Sequence, residues 1–175
     1  MNGYLDRRFM LLMFVSFVFL VCYLVVVANQ TYVKASIQTA NATRQAIETE
    51  RQTITFQEIL INNLLISLSL IVPLIGLIPF FIVWHNTAII IGLLSKAYAV
   101  PPTIYITNLI VLAFPEILAY TIMISENVYV TALALFKSGA KYRITQHSWK
   151  SFIFYILLLF IGAVSEAHMI ASAVR

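Results

Sequence analysis

The side chains best placed to do chemistry in this sequence are a carboxylate and several amides set in apolar surroundings. Glu116 follows Pro115 in the stretch TIYITNLIVLAFPEILAYTIMISENVYVTALALF, residues 103–136, and Asn108 stands upstream of it in the same stretch. A carboxylate at the centre of a membrane helix costs about 2.5–3.5 kcal/mol on insertion scales, so it turns toward protein or water and takes a partner. Two readings of Glu116 follow. In one it is a proton or ligand site, or a group turned to a partner protein. In the other it is a carboxyl hydrogen-bonded to Asn108, Asn63 or freed backbone, holding helices in register. Pro115 has no N–H and its ring crowds the preceding turn, so a kinked or broken helix is expected beside Glu116.

The other polar groups in apolar runs are weaker candidates. Glu166 lies in IGAVSEAHMI, where a structural role is the simpler reading. Asn62 and Asn63 are read first as interhelical hydrogen-bonding amides, and Asn86 belongs to a polar spot with Trp84 and His85. His85, next to Trp84, and His168 are read as interfacial groups at helix ends. No spacing among these residues matches a zinc-protease helix, a phosphate-binding glycine loop or a nucleophile elbow. Glu166 and His168, two apart on a helix, point to different sides and make poor co-ligands. Neither catalytic residues nor a metal or cofactor is expected.

The elements that position these groups are membrane helices. The chain has 175 residues, 61% hydrophobic and only 10% charged, against roughly 25% charged in soluble domains. The charges are bunched between long apolar runs, as in several spans of about 20 residues. Net charge is +4, but Arg7, Arg8 and the cluster Lys137, Lys141, Arg143 and Lys150 flank apolar runs. Orientation by positive charge explains them, and no nucleic-acid partner is expected. The single cysteine, Cys22, permits no disulfide within these residues.

Residues 9–28 read as a retained first span entering from the cytoplasm, with an apolar core longer than the 7–15 residues or so of a signal peptide. Residues 29–58 are polar and free of Gly and Pro. Val33, Ala40, Ile47 and Ile54, with Ile37, give one weak apolar stripe, so an extracytoplasmic helix is expected. Asn29 and Asn41 head glycosylation sequons, Asn-Gln-Thr and Asn-Ala-Thr, in this segment. Residues 59–94 hold two spans turned at Pro73, Gly76 and Pro79, with a polar spot at Trp84-His85-Asn86. A re-entrant element is the alternative. Pro101-Pro102 forces an extended connection. Residues 103–124 are long enough to cross, whereas 127–136 look too short. The basic loop reads as cytoplasmic, and 151–171 form the last span, leaving Arg175 on the far side. The expected fold is an all-α polytopic bundle of about five spans, with the N-terminus inside and the C-terminus outside. Its divisions are a first span (1–28), a polar helix (29–58) and a bundle (59–175).

The order of these features resembles the SpoIIM family, the stage II sporulation protein M type of integral membrane protein. The resemblance covers residues 56–171 and rests on ILINNLLISLSL, HNTAIIIGLL, PEILA and LLLFIGAVSEA. The chain differs from the family pattern where Leu112 and Ala113 replace a His-Gly pair, where Thr87 replaces a Gly, and where Gly92 is displaced by one position. The resemblance implies a noncatalytic plasma-membrane partner that assembles with other membrane or envelope proteins. A larger complex, or a homo-oligomer, is therefore expected beside the lipid bilayer itself. The competing expectation is a permease-like subunit with a pathway near Glu116, aided by the polar breaks near Pro79 and Asn86.

Overall fold

The computed structural model describes residues 6–136 and 139–173, so Lys137 and Arg175 of the charge argument lie outside the described residues. The described residues are mainly α-helical, with no strand among them. Helix α1 (Arg7–Lys34) starts at Asp6, whose Oδ1 accepts the Phe9 N–H at 2.8 Å. Its last carbonyls, of Tyr32 and Ala35, are met by the Lys96 ammonium, a cation at the negative end of the helix dipole. The first helix thus runs past residue 28, and Asn29 sits inside it with its Nδ2 donating to the Val25 carbonyl.

Ser36 then caps α2 (Ile37–Arg51) by accepting the Thr39 N–H. The polar segment is helical as expected, but its stripe is narrower. Ala40 is buried, while Ile37 is exposed and Val33, 77% exposed, belongs to α1. A reciprocal pair between Thr55 and Glu58 opens α3 (Phe56–Leu68): each donates its backbone N–H to the other's side-chain oxygen. A 3₁₀ turn (Ser69–Ile71) and a tight reversal at residues 72–76 follow. Gly76 is required there, since a Cβ would fall on the Ser69 carbonyl oxygen.

Helix α4 (Leu77–Ala97) runs through Trp84, His85 and Asn86 without a break. The polar spot is therefore not a helix end but the middle of a span. Side-chain hydrogen bonding satisfies it in part, and three polar residues cannot interrupt a helix whose backbone ladder is intact. Pro101-Pro102 gives the extended exit, with Pro102 as first residue of α5 (Pro102–Leu112). The chain then breaks at Ala113, and α6 (Phe114–Phe136) is one continuous helix. This reverses the division of residues 103–136 made above. The short piece comes first and the crossing piece second. The reason lies in Pro115, which sits in the first turn of α6, where an N–H has no intrahelical partner to lose. A short α7 (Ala140–Arg143) and a π-helical turn (Ile144–Ser148) lead into α8 (Trp149–Ala173).

Four helical stretches, α1, α4, α6 and the one containing α8, are long and apolar enough to cross a membrane, and counting the bent pair α2 and α3 makes five. Helices α1 and α4 are parallel neighbours. Leu20 meets Trp84, Tyr23 meets His85, and Lys96 reaches the end of α1. Helix α8 runs antiparallel to α6, with Ser151 at Glu126 and Gly162 at Glu116. The buried share of the best apolar window is 61% in α6 and 17% in α1, so α6 is the central helix and α1 lies at the periphery. Phe80, Trp84 and Tyr120 pack their rings together against it.

At the start of α1, Tyr129 donates to Asp6 Oδ2 at 2.7 Å. Burial pushes the Asp6 carboxyl up, but the Phe9 N–H, the Tyr129 hydroxyl and the Arg143 charge outweigh it and hold the group below its ordinary 3.8. A carboxylate depressed in the folded state adds stability above its unfolded value, and that stability is lost as pH falls through the folded value. Asp6→Ala will cost about 1 kcal/mol at neutral pH. Thermal unfolding in detergent should show the gap from the parent closing below pH 3.8.

Candidate functional site

Helix α2, the link after α4, α5, the start of α6 and the later part of α8 enclose a cleft of about 1010 Å³. Each wall contributes for a local reason. Ser36 turns α2 back across the bundle, and Tyr98, at the end of α4, donates to Glu48 Oε1 at 2.9 Å, which ties α2 down. Burial first, and then that bond to Glu48, push the Tyr98 phenol up, so it remains a donor at neutral pH. Tyr105 of α5 stacks on Tyr98 with ring centroids 6.5 Å apart. The break at Ala113 lets α5 and α6 diverge and sets Glu116 in the first turn of α6.

Glu116 is half-buried on the cleft wall, and its Oε1 accepts the Asn63 amide at 2.7 Å. Gly162 makes room for it. A Cβ at that position would collide with Glu116 Cγ. Glu166 of α8 and Asn108 of α5 face the same space, with Glu48, Arg51 and Gln52 at the α2 side. The lining thus sets three carboxylates, Glu48, Glu116 and Glu166, against one guanidinium, Arg51. Glu48 is already paired with Arg44 at 3.7 Å, so Glu116 and Glu166 are the acids left to offer oxygens to cations and hydrogen-bond donors in a cavity walled by helices.

Of the residues singled out in the sequence, Glu116, Asn63, Asn108 and Glu166 come together here. Asn108 shares the cleft but Asn63 is the amide that binds Glu116. Asn86 is elsewhere, exposed on the outer side of α4 beside His85. Asn62 and His168 are exposed, and Asn41 is half-buried in α2. Among the described residues, no group of three or more His, Cys, Asp or Glu is arranged to hold a metal ion.

Sequence reasoning missed a second polar centre further along α6. Arg143, counted above as a loop cation, is 3% exposed. Its Nε and Nη2 donate to Glu126 Oε1 and Oε2 at 2.9 and 2.7 Å. Ser148 and Ser151 each donate to the same carboxylate at 2.7 Å. The guanidinium lies over Phe9 and Tyr129, at 4.5 and 5.0 Å from the ring centroids. Next to it, Asn127 accepts the Leu74 N–H and donates to the carbonyls of Leu70 and Val72, which fixes the α3–α4 reversal against α6. The adjacent polar pair Glu126-Asn127 inside an apolar run was the available signal.

Comparison with family models, with curated proteins and with solved structures gives no match to this chain.

Proposed function

We propose that this protein is a non-enzymatic integral membrane subunit that assembles with other membrane or envelope proteins, and that the cleft holds a basic or hydrogen-bond-donating segment of a partner. One observation carries the reading: the half-buried Glu116, braced by Asn63 at 2.7 Å, stands with Glu166 on the wall of a cleft of about 1010 Å³. The resemblance to the SpoIIM family supports the same role. The basic end, with Arg7, Arg8 and Lys141 near the start of α1, is assigned to the cytoplasm of a plasma membrane, and the cleft to the opposite side.

The test is extraction in mild detergent and mass spectrometry of what comigrates at native mass. A stoichiometric partner of another kind is expected, and Glu116→Gln should lower its recovery by about tenfold or more. Recovery without any such partner, or one indifferent to Glu116→Gln, overturns the reading.

A second reading is a permease-like subunit. The observation favouring it is that the cleft reaches Glu116 from one end while the Glu126–Arg143 pair closes the bundle ten residues further along the same helix, about 15 Å away. In reconstituted vesicles Glu116→Gln should then abolish flux of a cationic solute. Unchanged flux removes the carboxylate from any pathway.

A further inference from the structure

We propose that the outer face formed by α1 and α4 around Tyr23, His85 and Asn86 is the interface of a symmetric dimer, and that its occupant is a second copy of this chain. His85 and Asn86 are the ninth and tenth residues of the 21-residue α4. They therefore lie about 12–14 Å from its start and about 17–18 Å from its end, near the depth of the hydrocarbon centre. Both are exposed. His85 Nδ1 is engaged with the Tyr23 hydroxyl at 2.9 Å. Among the described hydrogen bonds none reaches the other ring nitrogen or the Asn86 carboxamide. Lipid tails offer no hydrogen-bond partner, so polar groups at this depth are covered by protein.

The surface is complementary to itself. A carboxamide both donates and accepts, so two Asn86 side chains facing across a twofold axis satisfy each other. With them, Leu77, Ile78, Phe81 and Ile82 line a shallow, open apolar trough along α4. The adjacent α1 presents Phe19, 51% exposed, as a ridge. Its ring packs edge-on against Phe81, with centroids 5.8 Å apart. One face thus carries both ridge and trough, which is the condition for an isologous contact. No Lys, Arg, Asp or Glu lies on α1 between Arg8 and Lys34 or on α4 before Lys96, so no like charges oppose each other across the axis.

The full-length chain with Cys22→Ala provides a cysteine-free background. In native-like lipid bilayers, Asn86→Cys and Ile82→Cys should each form a covalent dimer under mild oxidation, and Val111→Cys, exposed on α5, should not. Asn86→Leu should weaken dimerisation by about tenfold in single-molecule counting at dilute surface density. The proposal is overturned if the parent chain stays monomeric at high protein-to-lipid ratio. It is equally overturned if cross-links form at position 111 but not at 82 or 86, or if positions 82 and 86 couple to a different protein. Having its own residues, this test is independent of the cleft: Glu116→Gln should leave the dimer intact.

Discussion

Arg143→Ala will destabilise the bundle by about 3–5 kcal/mol, because it leaves a buried carboxylate without its countercharge. Glu126 is 5% exposed and takes four hydrogen bonds, two from the guanidinium and one each from Ser148 and Ser151. With the arginine gone, only the serine hydroxyls remain to replace lost hydration. The stacking of the guanidinium on Phe9 and Tyr129 is lost as well. Arg143→Lys should rescue only part of the loss, since an ammonium cannot make the forked contact or lie flat on the rings. Glu126→Gln combined with Arg143→Met should be milder than either charge-breaking single change, since removing both charges removes the desolvation penalty with the attraction. Thermal unfolding of these three variants and of Glu126→Gln alone in detergent provides the check. A parent-like melting curve for Arg143→Ala would show that the pair is solvated in the membrane-bound protein. Limited proteolysis gives an independent reading, because the pair fastens the connection between α6 and α8 to the bundle, and Arg143→Ala should expose that connection to cleavage.

The two polar centres were not equally legible in the sequence. Glu116 announced itself because a lone carboxylate in an apolar run has few places to go, and its likeliest amide partners could be named. Geometry selected Asn63 over Asn108, which depended on the break at Ala113 and on Gly162 admitting the side chain to the surface of α8. Arg143 was concealed by its company. Lys141 and Lys150 stand on either side of it, and a cation in a basic connection is read as a topological signal. Nothing local shows that the turn at Gly139 folds the chain back so that Arg143 reaches Glu126 seventeen residues earlier. Pro115 was read for the right disturbance at the wrong place. Proline disrupts a helix interior but suits its first turn, and the sequence alone does not say which of these Pro115 occupies. His85 and Asn86 were misplaced for a related reason. Adjacent polar residues with a Trp resemble a membrane boundary, yet Trp84 is turned inward to donate to the Leu20 carbonyl, while its two neighbours face outward at mid-span.

The contact between α1 and α4 carries the other large expected effect. Gly92→Leu should cost about 3 kcal/mol or more, at or beyond the upper end of overpacking changes. A Cβ at Gly92 would lie 2.6 Å from the Ala28 carbonyl oxygen and 2.7 Å from Thr31 Cβ. The first of these is backbone, so relief requires moving a helix rather than rotating a side chain. Ala28 and Ala88 are fully buried at the same contact, and Ala88 and Gly92, four apart, are the small residues that let two membrane helices approach closely. Separating them would also draw Lys96 away from the Tyr32 and Ala35 carbonyls, leaving the end of α1 uncapped. Because α2 begins just after those carbonyls, the α2 side of the cleft would shift with them. Gly92→Leu should therefore reduce partner retention at Glu116 as well as melting temperature, although Gly92 does not line the cleft. Ile82→Leu, on the exposed side of the same helix, should change neither by more than about 0.5 kcal/mol. Equal stability of Gly92→Leu and Ile82→Leu would mean that α1 and α4 are not packed as closely in the bilayer as they are in this structure.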